Sequence, residues 1–351
     1  MNNIPARLIR IALIALTALF SLSIQADHSK DSKRIILVQT MPVLPVLNHS
    51  RTFIEHLEQM GYVNGQNLDL VILQPDGDRG RAEAMLQETL YQGQADLVVT
   101  SATMASQVAH KILRGTATPQ LFFTVSDPVG AGLVRALGVT GDDKITGKVH
   151  SVDRAAKIEL LLRLLGSKHA GAPLRLGLIY SSYPSSVGDA KLLAEAAKKF
   201  DNLVFVPYRI PYHPVPDGLP EMLDDATGAI EQLDEKVDYW WEPSGPLGER
   251  DEFSRLLRDK SKRPVVFGTN MMSVKLGALL HVTPNDNATG MEAARLAVAI
   301  LEGAHAGNFP VTAATDFDLG INLATALEMG IAIPSDLAEL AGPNIFREIA
   351  P

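Results

Sequence analysis

Two hydrophobic periods alternate along this chain. From Lys33 onward, short apolar runs that fit buried strands fall at 34–39, 68–73, 97–100 and 120–125. Segments with helical spacing lie between them at 49–60, 79–92 and 103–113, the first closed by Gly61. This β-α-β-α-β-α-β order predicts a parallel sheet with helices on both faces. After a turn-rich stretch at 139–147 and a crossing strand at 148–152, the rhythm resumes. Helices are predicted at 155–165, 187–200, 220–233 and 248–261, and strands at 174–180, 203–208, 237–241 and 264–268. Two similar half-chains predict two similar lobes. The last quarter carries a strand at 278–283, a helix at 287–302, a strand at 316–323 and short helical ends, too few elements for a third domain. They are expected to insert into the two sheets, so that the chain crosses between lobes more than once and builds a hinge of several strands. The expected class is α/β, with two doubly wound lobes. One lobe is 33–147 plus 278–315, and the other is 148–277 plus 316–351.

Composition narrows the class. A chain of 351 residues suits two domains of ordinary size, and 46% hydrophobic with 21% charged residues excludes disorder and coiled coil. The first residues differ in kind. Arg7 and Arg10 precede an apolar run at 11–22 that is short for a membrane span, and Ala26 closes a small-residue segment. Residues 1–26 therefore read as a secretory signal peptide, with a membrane anchor as the alternative. The chain has no cysteine, which excludes disulfides and an acylated-cysteine anchor and fits a bacterial periplasm. The formal charge of −8 becomes about −10 once the leader is removed, a balance that argues against nucleic acid as a partner.

Candidate chemistry is sparse. The strand at 121–125 runs into Ser126, Asp127, Pro128, Gly130 and Gly132, a turn at the edge where open sheets hold ligands. Gly130-Ala-Gly132 suggests a dinucleotide fold, with Asp153 near the place of a ribose-binding acid. Against it, Arg135 occupies the third glycine position and Pro128 separates the strand from the first glycine. The stretch 141–149 has glycine spacing one residue too long for a phosphate loop, with Val149 where a magnesium-binding hydroxyl belongs. Nine histidines lack zinc spacing, and the serines of 181–186 have no histidine nearby in sequence. No catalytic residue, metal or cofactor is expected. What remains are polar loops at strand ends, including 39–41, 100–103, 126–127, 180–182, 241–244 and 269–270, suited to a small polar or zwitterionic solute. Each has a plainer reading: Ser101 and Thr103 as helix caps, Asp76 and Asp78 as turn formers, Asn270 as a strand end. Asp127 is singled out as the strongest ligand candidate. Alternation sends one of Trp240 and Trp241 into the core and the other outward, where it can stack on a ligand.

Several segments, in this order, carry a resemblance. They are Gly61-Tyr-Val-Asn-Gly-Gln-Asn67, Asp76-Gly-Asp78, Ala95-Asp-Leu-Val-Val-Thr100 and Val125-Ser-Asp-Pro-Val-Gly-Ala-Gly-Leu-Val134. Ile145-Thr-Gly147, Leu176-Gly-Leu-Ile-Tyr180, Val274-Lys-Leu-Gly-Ala278, Ile321-Asn322 and Gly330-Ile-Ala-Ile-Pro334 come after them. Together they resemble the periplasmic substrate-binding proteins of ABC transporters, type I group, in the subfamily that includes tryptophan and other amino-acid binders. The resemblance implies two Rossmann-like lobes, joined by a multi-strand hinge, that close on a small molecule, no catalysis, and delivery to an ABC permease in the inner membrane by a monomer. The alternative is a sensing module of the same fold acting on a membrane signalling protein, and an exported enzyme comes third. Carried over, the cleft falls near Thr40, Met41, Ser101, Ala102, Thr103, Ser126 and Asp127, with Tyr180, Ser181, Ser182, Pro243 and Asn270 opposite. The chain departs from the family pattern at 41–48, which is apolar and proline-rich, at Tyr180-Ser-Ser182, and at 241–246. All three are cleft positions and bear on which solute is held.

Overall fold

The alternating pattern folds into two separate sheets in the computed structural model, which describes residues 32–141, 143–166 and 173–351. The leader read at 1–26 lies outside the described residues. The first sheet holds β1 (Lys33–Gln39), β2 (Leu68–Leu73), β3 (Leu97–Ser101), β4 (Gln120–Val125), β5 (Ile145–Val149) and the short β11 (Thr312–Ala313). Their order is β11-β5-β4-β3-β1-β2, and every pairing is parallel. Parallel strands need crossover helices, so both faces are covered and the inner strands carry continuous apolar runs. Ile35, Ile36, Leu37 and Val38 show it, all buried.

On one face, α1 (Leu44–Gln59) packs with α9 (Asp286–Leu301), joining Phe53 and Leu57 to Ala293, Ala294 and Ala297. Small residues permit the approach: a Cβ at Gly290 would stand 2.0 Å from Thr52 Oγ1. The other face takes α2 (Arg79–Gln92) and α3 (Thr103–Leu113) through Leu86, Ala105 and Ala109. Helix α1 begins five residues before the expected 49 because Pro45 sits in its first turn, where a missing N–H costs nothing. A proline-rich stretch reads as loop by composition alone.

The second sheet has the order β13-β12-β10-β9-β8-β6-β7. It contains β6 (Leu174–Ser181), β7 (Leu203–Ile210), β8 (Tyr239–Trp241), β9 (Val265–Phe267), β10 (Leu280–Pro284), β12 (Phe317–Asn322) and β13 (Ile345–Phe346). Helices α4 (Arg154–Leu165), α5 (Pro184–Ala197), α6 (Leu219–Leu233) and α7 (Asp251–Lys260) cover it, with the shorter α8 (Met271–Lys275), α10 (Leu323–Glu328) and α11 (Ser335–Ala341). Only β10 and β12 run antiparallel. Here two boundaries differ from expectation. The strand expected to cross at 148–152 forms instead as β5 inside the first sheet, so Lys148 and Val149, expected in the second lobe, pair in the first. The segment 278–315 is expected whole in the first lobe, yet β10 pairs with β9 and β12, and Leu279, Leu280 and Val282 are buried in the core of the second. The chain returns to the first sheet only after Pro284.

It therefore crosses between sheets three times: from β5 to α4, from β10 to α9, and from β11 to β12. Asn285 ties the last two crossings together, its N–H donating to Asp316 O at 2.9 Å and its Nδ2 to Asp318 Oδ2 at 2.9 Å. Among the described residues no helix is long and apolar enough to cross a membrane.

Both tryptophans belong to the core, so the outward, ligand-stacking role expected for one of them is not met. Trp241 stacks on Phe267 at 3.9 Å between centroids and meets Phe205 edge-on. Trp240, on the opposite face, is fully buried and donates from Nε1 to Ser261 Oγ at 2.7 Å. Gly177 on the neighbouring strand makes room, since a Cβ there would come within 2.5 Å of the indole. Trp240→Ala is expected to cost about 3–5 kcal/mol by opening a cavity. The check is urea unfolding, where the midpoint should fall while the slope stays unchanged.

Candidate ligand-binding site

Parallel strands place all their carboxyl ends on one edge, and the two sheets turn those edges toward each other. Between them lies a cavity offering about 70 Å³ to the centres of water molecules. The first lobe lines it with Met41, Val43, Val46, Ala102, Thr124 and Ser126. His150, Ser151, Thr283 and Pro284 come from the crossings, and Lys157, Tyr183, Ser185, Gly245, Glu249, Thr269 and His281 from the second lobe. The lobes also meet outside the cavity. Tyr212 Oη donates to Gly77 O at 3.2 Å, and Arg154 Nη1 reaches Ser126 O at 3.5 Å. At Gly77, φ is 77° and a Cβ would clash with Tyr212 Oη at 2.2 Å, so that approach requires glycine.

Three long helices begin at the cavity: α1 after Val43, α3 after Ala102 and α5 after Tyr183. None is capped by the side chain of its own N-cap residue, and in α3 Thr40 Oγ1 accepts from Ala105 N at 3.3 Å. By contrast α2, α4 and α9 are capped by Asp78, Asp153 and Asn285. The uncapped ends turn the positive poles of their helices toward the cavity.

Charged side chains add to this field. Burial pulls the Lys157 ammonium down to about 8, while the Asp189 and Glu249 carboxylates favour its charge. Burial also pushes the Glu249 carboxyl up to about 8, although Asn270 Nδ2 donates to its Oε2 at 3.0 Å. Asp189 stays below the usual carboxylate range despite its burial, because Arg154 and Lys157 hold its charge, with Arg154 Nη2 at 2.9 Å.

Three histidines gather near the hinge. His49 lies fully buried between Thr124 Oγ1 at 2.8 Å and Asp286 Oδ1 at 2.9 Å, and His150 packs against its ring edge at 4.6 Å. Burial and the neighbouring His49 hold His150 well below the usual imidazole range. His281 Nδ1 lies 2.7 Å from Gly268 O and must donate to it, which leaves Nε2 a buried acceptor with no partner. Thr124 takes φ 58°, where the β4–β5 register shifts, a left-handed conformation rare for a β-branched residue. The strain lets its hydroxyl serve both His49 and Ser101. Among the described residues, no group of three or more acids and histidines is placed to hold a metal ion.

Of the twelve expected site residues, Met41, Ala102 and Ser126 line the cavity. Thr40 and Ser101 are buried beneath it, Thr40 Oγ1 donating to Ser101 O, and Thr103 is buried in the first turn of α3. Asp127, the favoured candidate, accepts from Gly130 N at 2.8 Å and shapes its own turn. Tyr180 packs on the second-lobe core, Ser181 lies beside Ser186, and Ser182 accepts from Tyr212 N. Pro243 accepts from Thr269 Oγ1 through its carbonyl, and Asn270 caps α8 while holding Glu249. Lys157, Glu249, Thr124 and the histidines carry no local motif. They converge only through the fold.

Residues 45–345 match the family described as ABC transporter substrate binding protein. The chain belongs to this family. It is a family of binding proteins rather than of enzymes, and its members hand a small molecule to an ABC importer. The chain is similar to the "Tyrosine-binding protein" of Clostridioides difficile (strain R20291), 25% identical over 320 residues, covering 90% of this chain and 85% of the relative. Among solved structures it is similar to a conserved domain protein from Vibrio cholerae (TM-score 0.73) and to the ABC domain in complex with L-Trp from Streptococcus pneumonia (TM-score 0.72). Each is 22% identical, and the match covers 90% of this chain and 100% of the other. The two-lobe fold is shared with both.

His281 makes stability in this substrate-binding protein depend on pH. Burial first, then Lys157, lower its imidazole to about 3, so the folded state binds a proton less readily than the unfolded chain does. Its contribution is present above the ordinary imidazole pKa and is lost as pH falls from there toward 3, by about 1.4 kcal/mol per pH unit. His281→Asn keeps a donor for Gly268 O and removes the titration. Urea midpoints measured at neutral and mildly acidic pH should fall less in the variant than in the unmodified protein. Equal falls would place the acid sensitivity elsewhere.

Proposed function

We propose that this protein captures a small polar solute, with amino acids foremost, between its lobes in the periplasm, and releases it to an inner-membrane permease. One observation carries the reading: the cavity between the facing sheet edges presents Lys157 and Glu249 together, with serine and threonine hydroxyls around them. Such a lining suits a molecule that bears both charges. The names of the relatives, a tyrosine-binding protein and an L-Trp complex, agree with an amino-acid solute. The moving bodies follow the sheets, with the three crossings as hinge. A solute touches both lobes only when they are closed, so its differential affinity shifts the population to that state. The protein acts without catalysis and as a monomer, and the basic, apolar leader directs its export.

The test is thermal unfolding of refolded, solute-free protein against amino acids, nucleosides, small sugars and organic ions. A solute that binds only the folded state stabilises by about 2.7 kcal/mol at a hundredfold excess over Kd, enough to raise Tm by several degrees. A panel in which nothing moves Tm and nothing gives calorimetric heat would end the solute-capture reading.

A further inference from the structure

As a solute site, the cavity also constrains which solute it takes, and the assignment rests on that reading of the cavity. We propose that the solute is a small α-amino acid with a non-aromatic side chain. Its carboxylate is held by Lys157 and the uncapped starts of α3 and α5, and its primary ammonium by Glu249 and His281 Nε2.

Charge is the first ground. Lys157 and Glu249 line the same cavity and attract each other through space without closing into a hydrogen-bonded pair. Both are partly buried, so a zwitterion between them gives each a hydrogen-bonding partner where water reaches it only in part. Arg154 and Asp189 behind Lys157 bond to each other, Asp189 and the Phe267 ring act on the Lys157 ammonium without a hydrogen bond, and Asn270 takes one oxygen of Glu249, which leaves room for one anion at Lys157 and one cation at Glu249.

Hydrogen-bond direction is the second ground. His281 is 3% exposed, and its tautomer is set by Gly268 O, so Nε2 can only accept. A primary ammonium has protons to give both to this nitrogen and to Glu249. A quaternary ammonium has none and would leave a buried acceptor unpaired. At the opposite pole, Ala102 and Tyr183 at the cap positions supply no side-chain oxygen to the first-turn N–H groups, and Thr40 Oγ1 takes only Ala105 N of α3, at 3.3 Å, so the remaining first-turn donors call for an acceptor.

Size is the third. A space of 70 Å³ for water centres holds roughly five to seven waters, about the non-hydrogen atom count of alanine or serine, with valine one atom larger. Tyrosine and tryptophan need roughly twice that. Met41, Val46 and Pro284 form apolar walls for a short aliphatic side chain. Tyr183 is the phenol ring among the lining residues, and its ring is already met edge-on by Tyr212 at 4.9 Å. Both indoles are committed to the core, so an aromatic solute finds no indole to stack on there.

Proton linkage gives an independent readout. Glu249 faces Glu242 from the end of β8, Asp286 from α9 and Lys157 from α4. Lys157 in turn faces Asp189, Arg154 and Glu249, and His281 faces Lys157 and Asp286. With the Glu249 carboxyl raised to about 8, a bound ammonium that favours its charged form drives a proton off near neutral pH.

The experiment is isothermal titration of the refolded full-length secreted protein with alanine, serine, valine, tyrosine, tryptophan, glycine betaine and propionate, in two buffers of different ionisation enthalpy. At least one of the three small amino acids should bind about tenfold or more tighter than either aromatic one, with release of close to one proton. Betaine should not bind. Glu249→Gln should abolish the proton release and weaken the small amino acid by about tenfold or more, while changing propionate little; Lys157→Met should weaken both. Solute-free melting curves show whether each variant is folded, and the comparison of alanine, betaine and propionate needs no variant. Tighter binding of tyrosine or tryptophan, equal binding of betaine, or binding of a non-amino-acid solute alone would overturn this assignment and leave solute capture standing. If no solute in the wider panel binds, solute capture falls and this assignment with it.

Discussion

Parallel pairing is the constraint on which the molecule depends. A parallel strand cannot be reached by a tight turn, so each pair in the first sheet needs a long crossover, and every carboxyl strand end and helix start lands on the same edge. Facing two such edges across three chain crossings gathers helix N-termini from both lobes around one small space. Polarity at the cavity thus follows from topology before any side chain is chosen. The choice of Val43, Ala102 and Tyr183 over capping residues preserves it.

Burial then sets the chemistry. Asp189 is buried and Lys157, Glu249 and Arg154 are partly buried, and each carries a desolvation cost that its neighbours offset. Arg154 and Asp189 form a bonded pair, whereas Lys157 and Glu249 do not. That asymmetry distinguishes scaffold from site: the bonded pair supports α4, and the pair left apart faces the cavity. The strained Thr124 follows the same logic, since its hydroxyl ties His49 on α1 to Ser101 on β3 beside the cavity.

The fold was largely legible from the period of apolar residues, because a strand buried on both faces and an amphipathic helix leave different spacings in the chain. Errors arose where tertiary pairing decided. β10 is an apolar run that either sheet could accept, and its place was settled by β9 and β12. The first turn of α1 was hidden by Pro45, which composition assigns to loop and a helix start tolerates. In the site, strand-end reasoning reached Met41, Ala102 and Ser126 but overvalued Asp127, whose carboxylate is engaged by Gly130 N.

By itself the sequence determined the alternation of elements, the two-lobe α/β class and the loops that end on the cavity edge, since these follow from local periodicity and strand-to-loop order. Only the tertiary structure decided that Lys157 on α4, Glu249 before α7 and His281 on β10 share one space. Their partnership comes from sheet order and lobe closure, which bring together residues far apart in the chain, and no spacing along it records such contacts.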